Sequence, residues 1–408
     1  MLRRLEYMSD AAPMKRRALF GYAGAAGVGA AAGIVGGRVS VGSEMGPYGL
    51  PVDGGVTRQR HEAYGTHQSG ILTPAPAAHR LVALDLLGKT DADALARLMR
   101  VWSGTIEALM GGRPAPGDAT PDLAQEAVSL TITVGFGPGI FELPGLENRR
   151  PAGFQDIPPM DHDRLQERWN GGDLLVMVQA DDETTVAHAC RRMTVDARPF
   201  ALPRWSQSGF WRGVDADGSP VTGRNLFGQV DGSRNPLPEE LGQALWSTDG
   251  WLSNGTQLVL RRIEMDLDEW DSLIRDRQEK SIGRELRDGA PLTGGGERDD
   301  IDRNAQADGS LVVSLDAHAR RAHPAENRGR RMLRRGINYT HIDDAGQETA
   351  GLLFIAMQTS VAEQFIPVQQ TLDASDALNE WTTAIGSAVF ALPPGFSADR
   401  HLAAGLFD

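Results

Sequence analysis

Between residues 79 and 193 the chain shows strand and helix patterns in one definite order, and that order narrows the fold more than any other feature. Residues 79–87 (HRLVALDLL) read as a strand, and 90–110 carry apolar side chains at helical spacing behind Thr90 as the expected N-cap. Two further strands follow at 127–137 (AVSLTITVGFG) and 173–180 (DLLVMVQA), then a helix over about 181–193. This β-α-β-β-α order is the split arrangement of ferredoxin-like folds. The second half repeats it in outline: a strand over 256–265, a helix over 266–280 with Trp270, Leu273 and Ile274 on one face, a strand over 351–358, and a helix around 364–372. No residue-by-residue repeat accompanies that likeness. The 48 glycines and 23 prolines among 408 residues, with only 6% aromatic side chains, fit many turns and close backbone approaches and do not fit a helical bundle. The expectation is therefore an α+β protein of two ferredoxin-like domains, antiparallel sheets with flanking helices, spanning 79–237 and 238–408.

Charge separates a leader from the rest. Residues 1–38 hold Arg3, Arg4, Lys15, Arg16, Arg17 and Arg38 against Glu6 and Asp10, whereas the whole chain is at −13. An acidic body excludes a nucleic-acid partner, which needs a basic stripe. Lys15, Arg16 and Arg17 stand directly before the uncharged run 18–35, the layout of a twin-arginine export leader. Five glycines in those 18 residues make a poor membrane helix. We therefore expect a cleaved leader over 1–45 and no stable span, with the twin-arginine machinery as a partner and the periplasm, cell envelope or extracellular space as the destination. Residues 46–78, rich in glycine, proline and polar groups, read as an exposed, flexible lead-in. Cys190 is the only cysteine, so no intrachain disulfide forms. It reads as a small buried apolar group.

Two runs carry the chemistry. The stretch 317–340, AHARRAHPAENRGRRMLRRGINYT, offers an imidazole, guanidinium groups and a glycine turn at spacings suited to an iron porphyrin. The stretch 225–236, NLFGQVDGSRNP, adds a carboxylate on a glycine-flanked turn. Together they resemble the dye-decolorising peroxidase family of haem enzymes, in its exported, deferrochelatase-like branch. The likeness runs from about His79 to the C-terminus and includes GFGPG at 135–139 and VFALPPG at 389–395.

The resemblance implies a fold of the dimeric α+β barrel type and haem b as cofactor. His318, in the pattern H-x-R-x-A-x-P completed by Arg320, Ala322 and Pro324, is then the axial iron ligand, and His323 is a decoy. Asp231, in G-x-x-D-G, and Arg334, in R-x-G-x-x-Y, are the implied catalytic pair, with Arg335 facing outward or onto a propionate. Leu352 and Phe354 alternate on a strand and so share a face; the family places such a pair over the cofactor. Asp376 is the implied acceptor of the ligand's second ring proton. The implied activity is reduction of hydrogen peroxide with oxidation of dyes, phenolics or other one-electron donors. Iron release from haem with the tetrapyrrole intact is the alternative, and haem binding or delivery without turnover is a further one. Bulky dyes would need a surface relay, for which Trp246, Trp251, Trp381 and Tyr339 are the candidates. A carboxylate stays ionised in acid where an imidazole would not, so turnover should be best at acidic pH. A homo-oligomer is compatible with the chain.

Overall fold

In a computed structural model of the chain, residues 59–408 are described, except 126 and 344, together with a short pairing of 44–45 with 51–52. All of the leader but its last two residues, and most of the first half of the lead-in, fall outside the described residues. Residues 43–408 form one compact unit.

Eight strands make a closed barrel. In the first half these are β1 (Ala78–Leu86), β2 (Thr131–Phe136), β3 (Leu174–Ala180) and β4 (Ala201–Phe210). The second half supplies β5 (Thr256–Met265), β6 (Leu333–Ile342), β7 (Glu348–Gln358) and β8 (Thr382–Leu392). The hydrogen-bonded order within the first half is β4-β1-β3-β2, and the second half, β8-β5-β7-β6, is the same order with its own four strands. The halves join antiparallel at Ala391 with Phe136 and at Asn338 with Phe210. Each half alone would leave two unpaired edges, and closure removes all four. The repeat expected from element order is therefore present in topology.

Inside the barrel Leu81, Met177, Leu258, Leu260, Ile337, Ile355 and Phe390 form one apolar core. Against the outer face of the first half lie α1 (Ala92–Met110) and α2 (Glu183–Ala197), with Trp102 donating to the Met193 carbonyl. The cap of α1 is Asp91, whose Oδ1 accepts from Ala94 N at 2.8 Å, and not Thr90. Thr90 instead donates to the Phe200 carbonyl. Cys190 is buried, and burial pushes its thiol pKa up to about 12.

Three expectations are corrected. The helix over 266–280 is two, α3 (Leu267–Ser272) and α4 (Arg275–Ile282), because Leu273 and Ile274 are extended. Trp270 is buried with its indole nitrogen on the Phe227 carbonyl, while Ile274, expected on the same face, is 72% exposed. The break redirects α4 so that Ser281 and Ile282 are buried. Secondly, residues 59–78 are not an exposed lead-in. Ile71 is fully buried within the barrel, and Gln68 makes three hydrogen bonds with Val134 and Pro393 main-chain groups. Thirdly, Arg335 points neither outward nor toward a propionate. Successive residues of a strand face opposite sides, so Arg335 enters the barrel, where it donates to the carbonyls of Gly70, Ile71 and Thr73 and to Gln179. That grip fixes the segment before β1.

Candidate functional site

A large cavity lies on the outer face of the second half, floored by outward side chains of β5, β6 and β7: Ile263 and Met265, Arg334, and Leu352 and Phe354. Asp231, His318 and Asp376 also line it, so all six residues expected from the sequence converge on one space.

The Asp231 turn is built by asparagines. Asn225 Oδ1 accepts from Phe227 N and Gln229 N, and Nδ2 donates to Gln229 Oε1 at 2.9 Å and reaches Asp231 Oδ2 at 3.5 Å. Gly228 and Gly232, at φ of +78° and +120°, supply conformations that side chains rarely adopt. Asn235 then clasps the Arg334 main chain at both ends, donating to its carbonyl and accepting from its N–H, each at 2.9 Å. The carboxylate turn and the guanidinium strand are thereby held as one piece, and the turn belongs mechanically with the second half. Gly336 completes the fit. A Cβ there would lie 3.1 Å from Leu352 Cδ1, 3.2 Å from Asp231 Oδ2 and 3.3 Å from Trp211. Burial presses the Arg334 pKa down, with Asp231 acting in the opposite direction. Arginine remains charged through such a shift.

On the same cavity, His318 opens a short helix, α5 (His318–Arg321). Its Nδ1 meets Asp376 Oδ2 at 2.5 Å. Asp376 ends α6 (Ile366–Ser375), and its Oδ1 caps the following turn by accepting from Leu378 N at 3.0 Å. With Nδ1 committed, Nε2 is the nitrogen left for a metal. Burial would lower the His318 pKa, but the charge and hydrogen bond of Asp376 outweigh it and the net shift is upward. His323 also lines the cavity. Its Nε2 faces Asp300 at 2.9 Å and its Nδ1 accepts from Ala325 N, so both ring nitrogens are engaged.

These residues fit an iron porphyrin. The walls are apolar enough for a flat macrocycle, with Phe227, Leu352, Phe354, Phe365 and Leu378 among them. In a chain at −13, the cavity is lined by five guanidinium groups (Arg234, Arg284, Arg330, Arg331, Arg334) against three carboxylates (Asp231, Asp300, Asp376), a local excess suited to a dianionic ligand. Among the described residues no three His, Cys, Asp or Glu side chains cluster to hold a bare ion. One imidazole backed by a carboxylate is instead the donor set for an iron whose other ligands are porphyrin nitrogens.

The sequence matches the family profiles for the N-terminal part of the Dyp-type peroxidases over residues 68–211 and for the C-terminal part over 222–397. The chain belongs to the Dyp-type peroxidases. A dye-decolorizing peroxidase of Thermobifida fusca is 37% identical over 359 residues, covering 83% of each chain. A deferrochelatase of Escherichia coli K12 is 32% identical over 360 residues, covering 83% of this chain and 84% of the other. The crystal structure of a DyP-type peroxidase from Cellulomonas bogoriensis superposes with a TM-score of 0.82 at 46% identity, over 87% of this chain and 99% of that one.

Asn235, Asn225 and Gly336 gained no role from the sequence. Asn235 stands next to Pro236 in a matching run, which marks a turn but not its partner ninety-nine residues away. Of the four relay candidates, Trp381 alone connects to the cavity wall through rings. It meets Trp270 edge to face at 5.2 Å, and Trp270 stacks at 4.3 Å on Phe227. Tyr339 is enclosed in the barrel beneath Arg262, Trp246 stacks on His67, and Trp251 packs with Phe136 and Phe141.

Proposed function

We propose that this Dyp-type peroxidase reduces hydrogen peroxide at haem b, held through His318 Nε2, and draws its electrons from dyes, phenolics or similar one-electron donors. The supporting observation is that a carboxylate and a guanidinium, Asp231 and Arg334, line the same largely apolar cavity as a carboxylate-backed imidazole. The bound iron porphyrin supplies the redox chemistry. Asp231 takes the proton from one peroxide oxygen and returns it to the other. Arg334 places a fixed positive charge beside the departing oxygen and offsets the negative charge that builds on it until the returned proton completes a water molecule. Asp376 holds the imidazole in the tautomer that presents Nε2 and makes it a stronger donor. Leu352 and Phe354 narrow access, so large donors are oxidised at the protein surface; of the four candidates Trp381 has the ring contacts leading to the cavity wall, but at 2% exposure it would be an inner step of the relay and not its surface end.

Release of iron from haem with the tetrapyrrole intact is the second reading, favoured by the identity to the Escherichia coli deferrochelatase. The product separates the two: free protoporphyrin and iron, or oxidised donor. Export through the twin-arginine route, to periplasm, envelope or exterior, is proposed from the layout of Lys15 to Arg17 before the uncharged run 18–35. An absorption spectrum of the purified protein before and after one equivalent of peroxide tests the main reading. A Soret band that shifts with peroxide is expected. A protein that shows no Soret band even with added hemin refutes it, as does a His318→Ala variant that keeps both pigment and turnover.

A further inference from the structure

One edge of the cavity is closed by a stretch of chain that is strapped to its surroundings. Between Asp288 and Asn304 there is no helix or strand, and Asp300 and Ile301 of this segment line the cavity. It lies between the Asp231 turn on one side and the His318 segment on the other. Asp300 touches both: its carboxylate faces His323 Nε2 at 2.9 and 3.0 Å and Arg234 Nη2 at 3.5 Å. Arg234 follows Asp231 by three residues, and His323 follows His318 by five. One half-exposed carboxylate therefore links the Asp231 turn to the His318 segment at the edge of the cavity.

Beyond an ion pair of Arg303 with Glu326 at 2.9 Å and a main-chain bond from Leu292 N to the Gly283 carbonyl, the remaining ties run mostly from arginines to main chain. Buried Arg284 donates to the carbonyls of Gly289, Glu297 and Asp299, Arg234 to that of Arg298, and Arg320 to that of Arg303. These are contacts to main chain from three different elements, and they locate the segment without interlocking it with either main core. Its apolar side chains, Ile301 and Leu292, join only a small separate cluster with Val313, Ala317 and Ala319. Gly289, Gly294 and Gly295 have φ of +75°, +91° and +108°, so the chain turns within its first half through residues that tolerate large backbone changes. Few apolar contacts, a private cluster and glycine bends mark a unit that opens at lower free energy than the barrel.

We propose that segment 288–304 is the gate through which the porphyrin enters and leaves, and that Asp300 is its latch. The inference rests on the haem reading given above. A rigid porphyrin seated in this cavity has to pass one of its rims, and 288–304 is a rim made of a glycine-hinged loop and not of barrel strands. Opening it parts Asp300 from Arg234 and His323, and the neighbouring carbonyls of Glu297, Arg298 and Asp299 from Arg284 and Arg234, but leaves the Asn235–Arg334 clasp and the His318–Asp376 pair untouched. The same gate would let an intact tetrapyrrole leave after losing its iron.

A gate residue has a kinetic signature that a ligand-contact residue lacks, because freeing the gate speeds passage in both directions. Stopped-flow binding of hemin to the apoprotein gives the on-rate, and transfer of haem from the loaded protein to excess apomyoglobin gives the off-rate. For Asp300→Ala both rates should rise, by about tenfold or more, with their ratio changed less than threefold. Asp300→Glu should restore the slow rates, and Asp276→Asn, which breaks a surface pair on α4, should leave them at the wild-type values. Unchanged rates in Asp300→Ala overturn the proposal, and so does a faster off-rate with an unchanged on-rate, which makes Asp300 a simple contact. Should Asp300→Ala fail to fold, Asp300→Asn, which keeps the shape and removes the charge, carries the same comparison. Wild-type protein that binds no hemin refutes the haem reading itself, an outcome distinct from either.

Discussion

Replacing Asp376 by Asn separates the two things that this carboxylate does. Oδ1 caps the turn after α6 through Leu378 N, and Oδ2 accepts the His318 Nδ1 proton at 2.5 Å in a site where the side chain is 4% exposed. Asparagine keeps one oxygen for the cap but presents an NH2 where the imidazole needs an acceptor. The change removes a hydrogen bond to a charged partner, worth about 1.5–3 kcal/mol. At about 1.4 kcal/mol per factor of ten, that is roughly a 10- to 100-fold weaker grip on hemin, the same range found when the outer partner of a metal-bound histidine is lost. Soret titration of the apoprotein measures the affinity, and a redox titration of the loaded protein should show the iron potential rising as the imidazole becomes a weaker donor. Thermal stability of the apoprotein should fall less in Asp376→Asn than in Asp376→Ala, which also loses the cap, worth about 1 kcal/mol. An Asp376→Asn protein with unchanged affinity and unchanged potential would refute the reasoning and leave Asp376 a capping residue alone.

Three other outcomes are expected. Arg334→Ala should keep its melting temperature within a few degrees and lose peroxide turnover by about 100-fold or more, whereas Arg335→Ala should unfold at markedly lower temperature, since four buried acceptors lose their donor at about 1–3 kcal/mol each; calorimetry beside steady-state kinetics separates them. Gly336→Ala should bind hemin normally but show a kcat/KM for peroxide lowered by about 10- to 100-fold, because the new methyl displaces Asp231 by a few tenths of an ångström; unchanged kinetics would show that Asp231 tolerates movement. On the acid side, burial works to raise the Asp118 pKa, but the Thr120 N–H and His188 outweigh it and the net shift is downward. Its contribution to stability is therefore full above the unfolded carboxylate value of about 4 and is lost as pH falls through the lower folded value. Denaturant melts of Asp118→Asn from pH 7 to pH 2 should accordingly show a shallower loss than wild type, and parallel curves would contradict the assignment.

The sequence was legible where a residue's task is local. Strands β1, β2, β3, β5 and β7 are apolar runs that declare themselves, and His318, Asp231 and Arg334 stand in short patterns whose members are near neighbours. Strands β4, β6 and β8 were not read as strands. In β4 Pro203 sits at a register shift, β8 opens with the polar Thr382 and Thr383, and β6 carries Arg334, Arg335, Gly336 and Asn338, whose polarity reflects the cavity and the barrel interior and not solvent. The break between α3 and α4 was equally hidden, because it is set by Trp270 docking on Phe227, a contact forty-three residues distant. The burial of 59–78 depends on Arg335, 265 residues beyond Gly70.

Neighbouring positions 334 and 335 give β6 an unusual vulnerability. One guanidinium serves peroxide chemistry and the next anchors the start of the fold, separated only by the alternation of a strand. A slip of β6 by a single residue against β7 would exchange their sides, sending the reactive cation into the core and the anchor into the cavity. Correct hydrogen-bond pairing of this one strand is therefore a condition of catalysis as much as of folding. A misaligned barrel would be an inactive enzyme whatever its remaining stability.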